Sequence, residues 1–279
     1  MGLPLFYIIY MKQINEITIE VTHAGFDDIA QILDLLTIKY KPYSGLFDCD
    51  ILFINCASSY NIDKFKLRAF VEKGGIVYAS DWASRAISEA FPDIMRFATS
   101  LDDIGIVQAR VVDNDLKQHI GCYVNVNFDL PAWYIVSEII SGEVLLEDSK
   151  THQPLMVKSR IGKGGLYYTS FHNHGLTTEN EEKLLQLLIL KQIGELNSQN
   201  IQQTANYNGI DLTNLQYKAA YTAPFPKVVD TPQIDSKKGI ITAESSPKAE
   251  SKSLRGKGLN YTTDTKVPKL RIGKNQNHD

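Results

Sequence analysis

Residues 67 to 82 read LRAFVEKGGIVYASDW, and this stretch decides the fold. Its first part carries apolar residues at helical spacing and ends in Gly74-Gly75, a pair that is typical of a helix stop. The apolar run IVYAS, residues 76 to 80, follows at once and predicts a buried strand. A helix that leads directly into a buried strand is half of a βαβ unit, so the stretch predicts an α/β protein.

Strand-and-helix units recur on both sides of this stretch. ITIEVT, residues 17 to 22, leads into an apolar stripe that runs to residue 36. DILFIN, residues 50 to 55, leads into the helix above, and IVYAS leads into a helix that Pro92 stops. Continuously apolar strands that alternate with helices are typical of a parallel sheet covered on both faces. We therefore predict a flavodoxin-like open parallel sheet with helices on both faces.

The pattern changes between residues 100 and 160. A short helix is predicted around PAWYIVSEI, and four further runs read as strands separated by turns: IGIVQARVV, GCYVNVNF, GEVLLED and PLMVKSR. We expect an inserted β-rich subdomain at the sheet edge, antiparallel or mixed. The parallel core resumes with GGLYYTSF, residues 164 to 171, and closes with a leucine-rich helix.

The composition shifts after residue 198 to Asn, Gln, Ser, Thr, Lys and Pro, and apolar runs almost vanish. Such a segment buries too little surface to offset the entropy of ordering it. We therefore predict one domain over residues 14 to 198 and a flexible, disordered basic tail over residues 199 to 279. The tyrosines of the tail either anchor a protein partner or only space a solvated chain.

The chain begins with a short apolar run that precedes Met11. The run has no basic n-region and no small-residue cleavage site, and it is shorter than the roughly 20 residues that span a bilayer. Residues 1 to 13 are therefore predicted to be either a leader ahead of a start at Met11 or an edge segment of the fold. No membrane attachment is expected.

Charge is unevenly distributed along the chain. Residues 1 to 200 carry 17 Lys and Arg against 25 Asp and Glu, whereas residues 201 to 279 carry 12 against 7. An acidic body argues against nucleic-acid binding, because phosphate neutralisation needs a clustered basic face. Cys49, Cys56 and Cys122 show no CxxC spacing and leave one cysteine over after any pairing, which favours a reducing, cytoplasmic setting.

Polar side chains follow the predicted parallel strands at their carboxyl ends, where open α/β sheets bind ligands. They are His23 after the first strand, Asn55, Cys56 and Ser58 after the second, Ser80, Asp81 and Trp82 after the third, and His172, Asn173 and His174 after the last. We expect these residues to converge on one cleft.

Three stretches of the chain carry a family resemblance. They are DILFINC, LRAFVEKGGIVYASDW and IGKGGLYYTSFHNHG. Over about residues 14 to 195 the chain resembles the class I glutamine amidotransferase-like superfamily, and most of all its ThuA-like and related uncharacterised branches. In the amidotransferases of that family a cysteine lies on the tight turn after the third strand, and a histidine after a late strand is its base. The resemblance implies that Ser80 or Asp81 occupies the nucleophile turn and that His172 or His174 lies at the base position.

No cysteine stands at that turn in this sequence. This argues against glutaminase or amidotransferase activity, because a thiolate is the group that attacks the glutamine amide. Cys56 does not replace the missing cysteine, since it follows the second strand.

Two chemical uses of the cleft remain open. Ser80 with His172 could hydrolyse an acyl or ester bond, although YASDW lacks the glycines that flank a nucleophile elbow. His172 and His174 could bind a divalent metal together with Asp81 and His23. An HxH pair alone is a weak metal signal, and we predict no metal and no cofactor.

In a third use, Asp81 caps the helix that begins at Trp82 and hydrogen-bonds a histidine without any chemistry. We favour this use and predict a ligand-binding or regulatory protein, not an amidotransferase, whose tail recruits a protein partner. The alternative is a hydrolase or isomerase that acts on a small polar, sugar-like substrate with Asp81 and His172 or His174. The residues expected to contact the ligand are His23, Asn55, Cys56, Ser58, Trp82 and Asn173.

Overall fold

The structure is a computed structural model. It describes residues 11–58, 61–100, 105–128, 133–173 and 179–215, together with two short strands near the C-terminus. The chain divides into two compact units, residues 1–226 and 227–279. In the second unit, strand β12 (Gln233–Asp235) pairs in antiparallel fashion with strand β13 (Ile240–Thr242).

The first unit alternates strands and helices along its described length. Its elements are β1 (Ile19–Val21), α1 (Ala30–Leu35), β2 (Lys41–Pro42), β3 (Ile51–Ile54), α2 (Lys64–Glu72), β4 (Ile76–Ser80), α3 (Ser84–Ala90), β5 (Met95–Ser100), β6 (Gly105–Val111), α4 (Asn114–Ile120), β7 (Tyr123–Phe128), β8 (Trp133–Ile139), β9 (Glu143–Asp148), β10 (Pro154–Ile161), β11 (Gly164–Thr169), α5 (Glu179–Leu196) and α6 (Ile201–Asn208). Single 3₁₀ turns lie at Ile14–Glu16, Asp81–Ala83 and Leu212–Asn214.

The main sheet has nine strands in the order β2-β1-β3-β4-β11-β10-β9-β6-β7. The first five strands of this order run parallel, and the remaining four extend the sheet in antiparallel fashion. The predicted α/β class is therefore confirmed, and the core of the sheet is parallel. The carboxyl ends of β1, β3, β4 and β11 lie side by side at one edge of this core.

The stretch LRAFVEKGGIVYASDW, residues 67 to 82, forms the predicted helix end and the predicted strand. Asp63 caps the start of helix α2, because its carboxylate accepts hydrogen bonds from the backbone N–H groups of Phe65 (2.9 Å) and Lys66 (3.1 Å). The helix is followed by Gly74, whose φ of 121° is strained for any other residue. A Cβ on Gly75 would lie 2.3 Å from the ring of Phe70, so this close packing also requires glycine.

Helices cover both faces of the sheet, as predicted. Ile76 and Tyr78 of β4 point into the core that α1 and α5 cover, whereas Val77 and Ala79 point into the core that α2 and α3 cover. All four side chains are at most 2% exposed. Burial on both faces explains why β4 is a continuous apolar run without polar alternation.

The β-rich segment between residues 100 and 160 lies at the edge of the parallel core, as predicted, and extends the same sheet in antiparallel fashion. Its strands β6, β7, β9 and β10 continue the main sheet, while β5 and β8 form a two-stranded ribbon. Helix α4, which we did not predict, lies between β6 and β7. Asp113 caps it by accepting a hydrogen bond from the N–H of Leu116 (2.8 Å), and Gly121 follows it with a φ of 86°.

The predicted short helix around residues 131 to 139 is wrong, because residues 133 to 139 form strand β8. Trp133 and Val136 have helical spacing and are both buried, which is the source of the error. In the strand they point to opposite sides, Trp133 into one apolar core and Val136 into the other.

The folded body continues beyond residue 198, where the sequence predicted that a flexible tail begins. Ile201 and Ala205, four residues apart on helix α6, are fully buried against α5. Asn200 and Gln203 form a capping box at its start, and Gly209 ends it in a left-handed conformation. Residues 199 to 215 thus belong to the body, and the rest of the predicted tail lies outside the described residues apart from β12 and β13.

The described part of the N-terminal segment contacts the body. The Lys12 ammonium group lies 2.6 Å from a carboxylate oxygen of Asp50, and the Lys12 backbone exchanges two hydrogen bonds with the Asn197 side chain. Residues 1–10 lie outside the described residues, so the leader alternative stays a prediction. Among the helices that the structure describes, none is long and apolar enough to cross a membrane.

Candidate functional site

The turn after β4 is sharp, and Asp81 stands at its apex. The strand ends at Ser80, and the chain passes through a 3₁₀ turn into α3. Asp81 has a φ of 41°, in the left-handed region that few residues other than glycine adopt. Backbone strain of this kind costs on the order of 1–3 kcal/mol and is concentrated at functional sites. Of the two residues that the sequence offered for this turn, Asp81 is the one in the strained position.

The carboxyl group of Asp81 is completely buried. Its Oδ1 accepts a hydrogen bond from the backbone N–H of Tyr134 (2.7 Å), and its Oδ2 accepts one from the thiol of Cys56 (3.4 Å). Burial raises the pKa of Asp81 to about 8, although these hydrogen bonds act in the opposite direction. At neutral pH the carboxyl group is therefore largely protonated.

His172 approaches the same carboxyl group from the end of β11. Its Nε2 lies 3.9 Å from Oδ2 of Asp81, which is too long for a hydrogen bond. The imidazole is 1% exposed and packs on the indole of Trp133 with the ring centroids 4.7 Å apart. The neighbouring Phe171 is fully buried as well. The predicted pair of Asp81 and His172 is thus brought together but sealed from solvent.

Asp27 is a member of this buried network that the sequence reasoning missed. Its side chain accepts hydrogen bonds from the backbone N–H of Cys56 (2.5 Å) and from the hydroxyl of Ser80 (2.6 Å). Burial raises the pKa of Asp27 to about 7 against the effect of both bonds. The Ser80 hydroxyl therefore donates to Asp27. The hydrolase hypothesis required it to donate to His172 instead.

The signal for Asp27 was its position after the carboxyl end of β1. The sequence reasoning placed this residue inside an apolar helical stripe that starts at residue 26, whereas α1 begins at Ala30. Residues between a strand and its helix are the ones that reach the carboxyl edge of a sheet, so the true boundary would have included Asp27 among the candidates.

Asn55 and Asn173 hold loops in place. The Asn55 amide accepts from the N–H of Ile29 (3.0 Å) and donates to the carbonyl of Thr22 (3.0 Å). The Asn173 amide accepts from the N–H of Asp28 (3.1 Å) and donates to its carbonyl (2.7 Å). Both side chains are buried, and these hydrogen bonds lie within the protein.

An open cleft lies beside the buried network, at the carboxyl ends of β1 and β3. It has a volume of about 550 Å³ and a lining that is more apolar than polar; we call it the polar cleft after the polar groups on its walls. Its lining includes His23, Asp28, Tyr43, Ser58 and Asn61. The Ser58 hydroxyl donates to the backbone carbonyl of His23, which ties two walls of the cleft together.

The predicted strand-end residues therefore fall into two groups. His23 and Ser58 line the polar cleft, whereas Cys56, Asp81 and His172 form a second group that we call the buried cluster. Trp82 is half-buried and packs edge-on against Tyr134, with the ring centroids 5.5 Å apart. His174 lies outside the described residues.

The buried cluster combines three kinds of metal-ligating atom. A thiol sulfur, a carboxylate oxygen and an imidazole nitrogen, one from each residue, lie within 4.8 Å of one another. The three residues come from the ends of three adjacent parallel strands, β3, β4 and β11.

No protein-family model matches the sequence, and a comparison with curated proteins gives no match. The fold is similar to a β-galactosidase from Bacillus circulans sp. alkalophilus, with 14% identity, a TM-score of 0.46, and coverage of 65% of this chain and 31% of that one. It is also similar to a protein described as ThuA-like from Bacteroides uniformis, with 11% identity, a TM-score of 0.47 and coverage of 72% and 99%.

A glutamine amidotransferase from Thermotoga maritima is similar at 10% identity, with a TM-score of 0.41 and coverage of 71% of this chain and 88% of that one. The chain spans about a third of the length of the β-galactosidase. Similarity at this level leaves the function to be argued from the site.

Proposed function

We propose that this protein is not an amidotransferase but a ligand-binding or regulatory protein, and that it takes a small polar ligand in the polar cleft. One observation carries the proposal. Asp81 and His172, which follow β4 and β11, are 0% and 1% exposed and 3.9 Å apart, whereas the open cleft is lined by other residues, among them His23 and Ser58.

The state of the buried cluster argues against a nucleophilic or general-base role. A carboxyl nucleophile must be ionised and must reach the substrate, whereas Asp81 is protonated near neutral pH and has no exposed atom surface. A general base must reach the proton that it takes from the substrate, and the imidazole of His172 is only 1% exposed.

The polar cleft has the size and the groups that a small polar ligand needs. Its volume of about 550 Å³ lies within the usual range for small-molecule sites. The exposed imidazole of His23, the half-buried carboxyl of Asp28 and the hydroxyls of Tyr43 and Ser58 offer both donors and acceptors. A sugar-like molecule with several hydroxyl groups matches such a mixed lining.

Thermal-shift and calorimetric measurements with sugars, sugar acids and small amides test this proposal. We expect at least one compound to raise the melting temperature of the wild type, and His23→Ala or Ser58→Ala to weaken its binding about tenfold or more, or by about 1.4 kcal/mol. His152→Ala, which removes an exposed histidine in the turn between β9 and β10, is the matched control and should bind normally. Binding that survives both cleft variants but is lost in His172→Gln would move the ligand to the buried cluster.

A hydrolase or isomerase that acts on a small polar substrate is the second candidate. Two carboxyl groups with pKa values raised to about 7 and about 8, Asp27 and Asp81, lie beside a strained turn. Perturbed carboxyl groups of this kind are concentrated at active sites. This function would require the buried cluster to open to substrate, so it is the less direct use of the geometry.

We infer further that the basic C-terminal segment recruits a protein partner and that the protein works in the cytoplasm. The net positive charge of residues 201 to 279 and their interleaved aromatic residues support the first inference. The second is supported by Cys49, Cys56 and Cys122, which are all free thiols. Deletion of residues 216 to 279 should abolish partner binding without lowering the melting temperature; a partner that still binds the shortened chain contradicts this role.

A further inference from the structure

We propose that Cys56, Asp81 and His172 bind one divalent metal ion of the zinc class. The three side chains converge from the ends of three adjacent strands, and their ligating atoms lie within 4.8 Å of one another. This site is separate from the polar cleft, so its failure would leave the proposed function untouched.

The distances between the ligating atoms suit a tetrahedral ion. Bond lengths of about 2.0 to 2.3 Å around zinc place neighbouring ligand atoms roughly 3.3 to 3.8 Å apart. Sγ of Cys56 lies 3.4 Å from Oδ2 of Asp81, within that range. Nε2 of His172 lies 3.9 Å from the same oxygen, slightly beyond that range, and all three ligating atoms lie within 4.8 Å of one another, so metal binding would draw the imidazole inwards.

The charge of the site also suits a dication. Thiolate and carboxylate together carry two negative charges, and the neutral imidazole carries none, so a bound divalent ion leaves the buried site neutral. Binding replaces the thiol proton of Cys56 and the carboxyl proton of Asp81, and both protons leave to solvent as two metal–ligand bonds form. Neutrality matters here because all three side chains are at most 1% exposed.

Neighbouring groups already hold two of the ligands in position. The N–H of Tyr134 binds Oδ1 of Asp81, which turns Oδ2 towards the cluster. The carboxyl group of Asp27 binds the backbone N–H of Cys56. Such hydrogen bonds orient ligands in metal sites and raise their affinity.

The ligand types select the ion. Sulfur and imidazole nitrogen with a single carboxylate suit zinc and similar transition metals, whereas magnesium and calcium need sets of oxygen ligands. Within the described residues, the cluster has no fourth member that is a histidine, a cysteine or an acidic residue. The fourth position would be taken by a water molecule.

Cobalt substitution tests the site without altering any ligand. In the double variant with Cys49→Ala and Cys122→Ser, Cys56 is the only thiol of the chain. We expect this variant to bind one equivalent of Co²⁺ and to show a thiolate-to-cobalt charge-transfer band in the near ultraviolet. Absence of that band at saturating Co²⁺ would overturn the proposal.

Single variants test the other two ligands. Asp81→Asn and His172→Gln preserve side-chain size and should each weaken Zn²⁺ binding about 100-fold or more, because one of three protein bonds is lost. His152→Ala should bind Zn²⁺ as the wild type does. Unchanged Zn²⁺ affinity in folded Asp81→Asn, with folding checked by circular dichroism, contradicts the site. If that variant does not fold, the cobalt spectrum above decides.

Discussion

Asp81 combines a left-handed backbone conformation with a buried carboxyl group. Both features cost free energy, and the surroundings offset part of it through hydrogen bonds to the side chain from Tyr134 and to the backbone carbonyl from the hydroxyl of Tyr168 (3.0 Å). The Tyr168 hydroxyl also lies 2.6 Å from the carbonyl of Tyr134, so it ties the turn to β8. Tyr168 therefore links the end of β4 to β8, the strand that covers the buried cluster.

The buried carboxyl groups predict how stability depends on pH. Burial raises the pKa of Asp27 to about 7 and that of Asp81 to about 8, from an ordinary value of 3.8 in the unfolded chain. Between about pH 4 and pH 8 the folded protein binds more protons than the unfolded chain, so the free energy of unfolding falls as the pH rises. The fall is of the order of several kcal/mol, since one pKa unit corresponds to about 1.4 kcal/mol.

Urea unfolding at a series of pH values from 5 to 9 measures this dependence. Asp27→Asn should reduce the slope only below about pH 7, whereas Asp81→Asn should reduce it there and also remove it between about pH 7 and pH 8, because each variant lacks one titrating group. Carboxyl groups with a lowered pKa, such as Asp50, change stability only below this window. If the free energy of unfolding depends on pH in the same way in the wild type and in both variants, the two carboxyl groups are not buried acids.

The sequence could predict part of the site but not its burial. Polar residues at the carboxyl ends of parallel strands were expected to converge on one cleft; Cys56, Asp81 and His172 do meet, whereas His23 and Ser58 line a different, open cleft. Their complete burial could not be predicted, because Trp133 and Tyr134 of β8 supply contacts from a part of the chain that carries no local sign of its position.

Helices and strands could be predicted from the sequence where their buried residues recur with a single period. Strand β4 is apolar along its length because both of its faces are covered, and the sequence pattern shows this directly. Strand β8 was mistaken for a helix because it lies between two apolar cores and buries residues at helical spacing. Helix α6 was missed because only Ile201 and Ala205 of its eight residues make the apolar contact that holds it.

Removal of helix α6 should destabilise the folded body. A chain that ends at residue 198 lacks the buried Ile201 and exposes the face of α5 around Gly194, which packs closely against Gln199 and Thr204. We expect its free energy of unfolding to be lower by at least about 2–5 kcal/mol, the usual cost of removing one large buried side chain.

A chain that ends at residue 215 is the matched control. It keeps α6 and the turn Leu212–Asn214, so it should unfold at the same urea concentration as the full chain. If the chains ending at 198 and 215 are equally stable, α6 is not part of the folded body.

At the scale of the whole molecule, nine strands form one sheet, and four of them extend the parallel core in antiparallel fashion. The extension places β10 beside β11, and β8 lies over the carboxyl edge near the turn that carries Asp81. The fold thus has a strained turn at the end of β4, whose Asp81 side chain is buried, and the polar cleft lies one strand away.

Turnover measured on a broad panel of esters, amides, glycosides and glutamine tests the central claim most directly. The full chain is assayed with and without added Zn²⁺, beside Asp81→Asn and His172→Gln. We expect the wild type to show no rate above that of either variant with any compound, because the buried cluster does not meet substrate. A wild-type rate that Asp81→Asn or His172→Gln abolishes, in a folded variant, would contradict the account and make the protein an enzyme.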